Sequence, residues 1–383
     1  MEVKRILTVM AAVCGLILLL CAGLIGYSVF NKNNTDNGEA VETEKKSEWI
    51  LLCQIQKNVY YESSGGRLIP TEREDADTYV VCLEDQAARP DKVSYSYSSD
   101  QDHTVIYTDQ EGNVIQEKTA GRGTFEDQVP EETYMIGFSV FPEDDHFSVR
   151  GDGGYEPPET SVTGKYFSVL GDSVSAYEGY TTTAELSFYH PSELNVRDMW
   201  WAVLADTTGM VPCRINAIGG AGVTELLNTG YPTAGNSERC EQLDSGGITP
   251  DVIFVLLGGN DMIQGVDKEL FYDSYVEMLE RIKDTYPESG IYVCTYYELP
   301  GLYAEGEREV NELIRQAASE AGITYIDSEK CSIEAEEPEE YFQDYREDIN
   351  TGVHVNQKGQ RMFGEYIAES FLKAQEEKTE EGD

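Results

Sequence analysis

From Tyr166 to the end of the chain, short apolar runs alternate with longer amphipathic stretches, and this alternation constrains the fold more than any other feature. The apolar runs cover residues 167–170, 214–218, 252–257, 291–296 and 323–326. The amphipathic stretches, whose spacing is helical, cover roughly residues 196–208, 268–285, 307–321 and 358–374. The apolar runs lack polar alternation, which is typical of parallel strands covered on both faces. We therefore predict a doubly wound, three-layer α/β/α domain.

A different pattern precedes this domain. Short runs rich in β-branched and aromatic residues are separated by turn residues, with no helical period. The predicted strands include residues 49–55, 78–83, 93–98, 104–108 and 133–140, and residues 109–112 form a predicted hairpin turn. We predict a small all-β sandwich, and its Tyr-rich strand pattern resembles that of jelly-roll modules found beside carbohydrate-active enzymes. Its tyrosines Tyr60, Tyr61, Tyr95 and Tyr97 are candidates for stacking on sugars, and ordinary sheet positions are the alternative.

The amino-terminal residues 6–30 carry no charge, and Lys4 and Arg5 precede them. A run of this length spans a bilayer core of about 30 Å, and the basic residues favour a cytoplasmic amino terminus. We expect an uncleaved single-pass anchor in the cell membrane with the rest of the chain extracellular. A cleaved signal peptide, which would give a secreted protein, is the alternative.

These patterns divide the chain into six predicted segments. They are a cytoplasmic stub with the anchor (1–30), a linker (31–47), the β-sandwich (48–150), a second linker (151–164), the α/β domain (165–375) and an acidic, disordered tail (376–383).

Composition excludes two classes of partner. The chain has 28 basic and 71 acidic residues, a formal net charge of −43. Such a surface repels phosphate backbones, so we expect no nucleic-acid binding. None of the eight cysteines forms a Cys-x-x-Cys pair, so no zinc site is indicated. Export would permit disulfides, for which Cys53–Cys82 and Cys213–Cys240 are the candidates; buried thiols are the alternative.

Four residues at predicted strand ends and in a loop are candidate catalytic residues. Ser173 follows the first apolar run in Gly-Asp-Ser, Gly220 follows the second, and Asn260 follows the third. His354 lies in a glycine-flanked loop before the last helical stretch. The carboxyl ends of parallel strands share one edge of a sheet, where open α/β folds place their sites. A hydroxyl, an imidazole and N–H donors there suit nucleophilic cleavage of an ester.

The segments that hold these residues resemble those of the SGNH (GDSL-type) hydrolases, over about residues 165–375. The matching segments are residues 171–175 for the nucleophile, 216–220 for the oxyanion glycine, 258–261 for Gly-x-Asn-Asp and 352–356 for the histidine. The resemblance implies a flavodoxin-like fold with Ser173 as nucleophile and His354 as base. It implies an oxyanion hole made by the Ser173 amide, the Gly220 amide and the Asn260 side chain, with Gly222 as the alternative glycine. It implies no metal and no organic cofactor.

The chain departs from the family pattern at one position. The family usually has an aspartate three residues before the histidine, where this chain has Thr351. Asp348 is our first candidate for the third catalytic residue and Glu347 the second. Alternatively, Thr351 or a backbone carbonyl orients the imidazole and leaves a Ser-His dyad.

These observations predict an extracellular serine esterase that removes O-acyl groups, in particular acetyl groups, from carbohydrate. A lipase or thioesterase of the same family is one alternative. The other is a catalytically weak surface protein in which the β-sandwich binds carbohydrate.

Overall fold

The computed structural model describes nine stretches of the chain: residues 48–50, 53–56, 58–144, 147–153, 155–181, 186–224, 233–235, 238–245 and 248–382. They belong to one compact unit. The predicted anchor (6–30) and first linker (31–47) lie outside these residues. Within the described stretches, no helix combines the length and the apolar character needed to cross a bilayer.

The first part of the described chain is all β, as predicted. Its strands are β1 (Glu48–Ile50), β2 (Gln54–Gln56), β3 (Val59–Ser64), β4 (Arg67–Glu72), β5 (Asp77–Cys82), β6 (Lys92–Tyr97), β7 (His103–Thr108), β8 (Val114–Ala120), β9 (Gly123–Gln128), β10 (Met135–Val140) and β11 (Phe147–Asp152). One antiparallel sheet has the order β1-β11-β6-β9, and a second has the order β2-β5-β10-β7-β8. Side chains from both sheets share one apolar cluster, to which β6 contributes Val93 and β10 contributes Phe138.

Two details of this part differ from the sequence prediction. The single predicted strand 49–55 is divided, because β1 pairs with β11 in one sheet while β2 pairs with β5 in the other. Three of the four candidate sugar-stacking tyrosines are buried: Tyr61, Tyr95 and Tyr97 are 6%, 2% and 3% exposed. A ring enclosed in the protein interior cannot stack on a sugar in solution, so these tyrosines stabilise the sandwich instead.

The second part contains the predicted parallel sheet. Its strands are β12 (Tyr166–Gly171), β13 (Val211–Ala217), β14 (Val252–Leu256), β15 (Gly290–Cys294) and β16 (Thr324–Ile326). All neighbours pair in parallel, in the order β13-β12-β14-β15-β16. After β12 the chain forms β13 on one side of it and then β14 on the other side, so the order of the strands reverses at β12. Ligands of open α/β sheets bind at such a switch point.

The helices are α1 (Trp200–Thr208), α2 (Gly259–Gln264), α3 (Lys268–Thr285), α4 (Ala304–Glu320), α5 (Pro338–Tyr341) and α6 (Gln357–Gly382). Helix α3 has the predicted bounds. The side chain of Asp267 accepts hydrogen bonds from the amides of Glu269 and Leu270, which caps its first turn. Its buried Phe271, Tyr275, Met278, Leu279 and Ile282 recur at helical spacing, so one face packs on the core.

The acidic tail that we predicted to be disordered is instead the end of α6, which continues to Gly382. Glutamate, lysine and glutamine are good helix formers, so local propensity permits the extension. Tertiary contacts support it: Gln375 Nε2 and Lys378 Nζ donate to the Tyr292 hydroxyl, and the Lys378 ammonium lies 4.7 Å from the centre of the Tyr292 ring.

Neither candidate disulfide is formed among the described cysteines. Cys53 packs against the apolar cluster that contains Val81, whereas the Cys82 side chain bonds to that of Tyr134. The Cys213 thiol lies 3.3 Å from the carbonyl oxygen of Ile248, whereas the Cys240 thiol lies 2.7 Å from that of Ala234.

Candidate active site

A tight turn after β12 presents Ser173 at the carboxyl edge of the parallel sheet. The buried carboxylate of Asp172 accepts the Val174 amide at 3.0 Å and the Tyr296 hydroxyl at 2.6 Å. Burial raises the pKa of Asp172, and these donors oppose that rise. A Cβ on Gly171 would lie 2.7 Å from Ser175 Oγ, so the close turn requires glycine there.

His354 lies beside Ser173. Its Nε2 is 2.8 Å from Ser173 Oγ, a hydrogen-bond distance. The hydroxyl of Tyr297 donates to the carbonyl of Val353 at 2.7 Å, and the hydroxyl of Tyr189 donates to the carbonyl of Val355 at 2.8 Å. The histidine backbone is thus fixed on both sides by buried tyrosines from other loops.

The carboxylate beside this imidazole belongs to Asp344. Its Oδ2 lies 2.7 Å from His354 Nδ1, and its Oδ1 accepts the amides of Val353 and His354, each at 3.0 Å. Burial alone would raise the pKa of Asp344, but the hydrogen bond from His354 and the two amides outweigh it and hold the pKa below its usual value. Asp344 is therefore ionised at neutral pH.

The expectation that Asp348 orients the histidine is wrong in this structure. Asp348 is exposed, and its carboxylate pairs with the Arg346 guanidinium at 2.9 Å. Glu347 is also exposed. Thr351 makes backbone hydrogen bonds with Arg346, with N···O distances of 2.7 and 3.2 Å, and these close a turn whose tip carries Asp348.

The missed residue follows from the pairing of two chain segments. Phe342 pairs with Val355 and Arg346 pairs with Thr351, both antiparallel, so this register sets Asp344 across from Val353, next to His354. The signal in the sequence was the run Asp-Ile-Asn-Thr-Gly at 348–352, which is rich in turn formers. Asn350 lies in the left-handed region, at φ 47°.

The remaining predicted residues lie around the same sheet edge. A Cβ placed on Gly219 would be 3.9 Å from the Ser173 Cβ, and Gly220 follows in a left-handed conformation at φ 74°. Asn260, in the first turn of α2, donates its side-chain amide to the carbonyl of Ala221 at 2.9 Å. The Tyr296 ring lies against Gly259 while its hydroxyl bonds to Asp172, which links the asparagine segment to the nucleophile turn.

A buried carboxylate fixes the segment after Gly220. Asp261 accepts the amides of Val223 and Thr224 at 2.8 and 2.9 Å, together with the Thr224 hydroxyl. Burial raises the pKa of Asp261 above its usual value, and the hydrogen bonds from these donors reduce that rise without cancelling it. Gly222, the alternative oxyanion glycine, uses its carbonyl to accept the Ala234 amide. In the part of the chain that the structure describes, no group of three or more potential ligands is arranged to hold a metal ion.

A scan against protein families matches residues 169–362 to the model described as the GDSL-like lipase/acylhydrolase family. No curated protein matches the chain. Among solved structures, a putative GDSL-like lipase from Bacteroides ovatus is 22% identical, covers 55% of this chain and 99% of its own, and has a TM-score of 0.42. A family two carbohydrate esterase from Clostridium thermocellum, in complex with cellohexaose, is 14% identical. It covers 84% of this chain and 98% of its own, with a TM-score of 0.41. A family two carbohydrate esterase from Cellvibrio japonicus is 11% identical, covers 86% of this chain and 98% of its own, and has a TM-score of 0.43.

The matched residues 169–362 are more than half of the 383-residue chain, and they include Ser173, Asn260 and His354. The family match agrees with the resemblance found from the sequence motifs alone. The chain belongs to the GDSL-like lipase/acylhydrolase family, that is, the SGNH hydrolases, and it is a serine hydrolase that acts on ester bonds.

Proposed function

We propose that Ser173 attacks an acyl ester, with His354 as general base and Asp344 as the residue that orients and stabilises the imidazolium. The observation that carries this proposal is the unbroken path from Asp344 Oδ2 to His354 Nδ1 (2.7 Å) and from His354 Nε2 to Ser173 Oγ (2.8 Å). Nε2 takes the serine proton as Oγ bonds to the acyl carbon, then gives that proton to the leaving alcohol. Water, deprotonated by the same nitrogen, releases the acid from the acyl-enzyme.

The oxyanion that forms during each attack is held by the Ser173 amide, the Gly220 amide and the Asn260 side chain. Two features support this assignment. Gly219, directly before Gly220, is close to Ser173, and Tyr296 links Asp172 to Gly259, directly before Asn260. The Asn260 side-chain amide has two N–H donors, of which one is used by the Ala221 carbonyl, so the other serves the oxyanion.

The proposed substrate is an O-acetyl or similarly short ester on a carbohydrate. Support for a short acyl group comes from the groups packed close to the nucleophile: the Phe188 ring stacks on His354, and the Leu186 carbonyl accepts the Gly219 amide at 2.6 Å. The net charge of −43 disfavours anionic lipid as substrate. The β-sandwich is the proposed carbohydrate contact, through surfaces other than Tyr61, Tyr95 and Tyr97.

A lipase or thioesterase activity is the second candidate, and one observation favours it. Leu302 is 70% exposed and Ile349 is 47% exposed. The Leu302 amide bonds to the carbonyl of Asn350, so Leu302 lies beside the hairpin that carries Asp344 and His354, and Ile349 lies in the turn of that hairpin. An exposed apolar surface near a site suits a longer acyl chain.

The length of the acyl group decides between the two candidates. With the full-length chain, we expect kcat/KM for p-nitrophenyl acetate to exceed that for the octanoate by about tenfold or more, the scale on which a pocket discriminates a few methylenes. We also expect release of acetate from acetylated xylan. Faster cleavage of the octanoate would support the lipase instead. Cleavage of aryl acetate without acetate release from any acetylated glycan tested would remove the carbohydrate part of the proposal.

We further propose that the chain is anchored in the cell membrane with the hydrolase outside. The uncharged residues 6–30 after Lys4 and Arg5 support this topology. Protease applied to intact cells is then expected to remove the chain beyond about residue 31. A mature protein whose sequence begins within or just after residues 6–30 would instead indicate a cleaved signal peptide.

A further inference from the structure

The chain between the nucleophile turn and α1 forms two paired limbs, residues 176–181 and 186–190. The amide of Glu178 donates to the carbonyl of Tyr189 at 3.0 Å, and the amide of Tyr189 donates to the carbonyl of Ala176 at 3.2 Å. The His190 Nδ1 lies 3.0 Å from the Glu178 carboxylate. Because backbone and side-chain bonds join them, a displacement of one limb moves the other.

The second limb lies against the catalytic groups. The ring of Phe188 stacks on the imidazole of His354, with 3.4 Å between centroids and 10° between planes. The carbonyl of Leu186 accepts the Gly219 amide at 2.6 Å. This limb therefore contacts both the proposed base and the glycine turn of the oxyanion hole.

The first limb docks on the β-sandwich. The hydroxyl of Tyr180 donates to Asp85 Oδ2 at 2.8 Å, and Asp85 ends the short helical turn after β5. Gly179 has φ 80° and lies close to Gln54: a Cβ on Gly179 would be 3.1 Å from the side-chain oxygen of Gln54. The Tyr180 ring also packs on Tyr177 and Trp201, with centroid separations of 5.8 and 6.4 Å.

We propose that Asp85 is a positioning residue for ester hydrolysis and that the β-sandwich is thereby an integral part of the catalytic unit. Asp85 holds Tyr180, Tyr180 holds the paired limbs, and the limbs hold the His354 ring through Phe188. This inference rests on the proposed function for its catalytic consequence, whereas the mechanical link from Asp85 to His354 does not depend on it. A misplacement of about 1 Å at a catalytic group is enough to cost up to about 10²-fold in rate.

The mechanical link is tested without any assay of activity. The chain has only four histidines, so 13C labelling of their Cε1 positions gives few signals, and replacement of His354 assigns its own. Stacking under Phe188 shifts the His354 Hε1 resonance upfield through the aromatic ring current. In the full-length chain, Asp85→Ala is expected to move this resonance toward its position in Phe188→Leu. Asp85→Asn keeps an acceptor for the Tyr180 hydroxyl and is expected to leave the resonance near its wild-type position.

The catalytic consequence is tested by a double-mutant cycle on p-nitrophenyl acetate. We expect Asp85→Ala to lower kcat about tenfold with little change in KM, and to have less than about a twofold effect once Phe188→Leu is present. Tyr366→Phe is the matched control, because it also removes one tyrosine hydroxyl bond, to the Asp327 carbonyl at 2.9 Å; neither kcat nor the His354 resonance should change.

Two results would overturn the proposal: an unmoved His354 resonance in Asp85→Ala, or losses in kcat that simply add in the double mutant. A third result separates this proposal from the proposed function: the His354 resonance shifts in Asp85→Ala, but the wild-type chain shows no turnover that depends on Ser173. It would uphold the link between the β-sandwich and the imidazole and reject the proposed function.

Discussion

Alanine in place of Ser173 is expected to lower kcat for p-nitrophenyl acetate by about 10⁴–10⁶, the scale on which serine hydrolases lose activity without their nucleophile. The substitution removes the only atom proposed to bond to the acyl carbon. What remains is ester binding and the oxyanion donors, which alone give modest acceleration over water. The measurement is the initial rate of ester hydrolysis by the full-length chain.

Ser175→Ala is the matched control, two residues along the same turn. Ser175 is buried, and its Oγ accepts the indole N–H of Trp200 at 3.0 Å. Loss of that acceptor leaves a buried donor unpaired and should lower the free energy of unfolding by about 1–3 kcal/mol, with kcat within a few-fold of wild type. Ser173→Ala should show the reverse: kcat is lost, and stability is kept because Asp172 and Tyr296 still hold the turn.

Asn260→Ala completes the series with an intermediate effect. Loss of one oxyanion donor typically costs about 10²–10³ in kcat. If wild-type turnover matched that of Ser173→Ala across several acyl esters, Ser173 would not be the nucleophile and the proposed mechanism would fail.

The parallel sheet was predictable from sequence because its strands are buried on both faces. The strand β14, Val252–Leu256, is buried at every position, so its apolar run is unbroken. The ends of strands and helices were less predictable, because they depend on contacts made elsewhere. Helix α6 extends into the acidic tail, where Lys378, together with Gln375 just before the tail, bonds to Tyr292, a residue more than 80 positions away in the chain.

The burial of the β-sandwich tyrosines was within reach of the sequence. In β6, Val93, Tyr95 and Tyr97 alternate with serines at 94 and 96, and the three larger residues are buried. A period of two with serine on one face indicates that the tyrosines lie on the other, toward the core. The sugar-stacking hypothesis considered the type of side chain and not the face of the strand on which it lies.

Part of the candidate site was likewise predictable from the sequence, and part was not. Ser173, Gly220 and Asn260 follow three neighbouring strands, so the order of the motifs along the chain was enough to place them at one edge. The acid was not predictable from its distance to His354 in the chain. Its place depends on the register in which residues 342–346 pair with residues 351–355, and register is fixed by the turn and by packing on both sides.

That register leads to the second large effect. Asp344→Asn is expected to lower kcat by about 10²–10⁴, as when the third member of a hydrolytic triad loses its charge. An asparagine occupies the same space, but it does not balance the imidazolium that forms in the transition state, and its amide group presents a donor to Nδ1 when the side chain is flipped. The pKa of Asp344 lies below its usual value, so its carboxylate is ionised wherever the enzyme would be assayed near neutral pH.

Asp348→Asn is the isosteric control on the same hairpin, and it tests the acid that was our first candidate from the sequence. Its exposed pair with Arg346 is worth at most about 1 kcal/mol of stability, and no bond joins its carboxylate to His354, so kcat should stay within about twofold of wild type. Both variants should unfold at similar denaturant concentrations, which separates catalysis from folding. A severe loss in Asp348→Asn together with a silent Asp344→Asn would mean that the hairpin adopts another register when substrate binds. With both substitutions silent, the site would be a Ser-His dyad whose imidazole is held by Phe188 and the two tyrosine-anchored carbonyls alone.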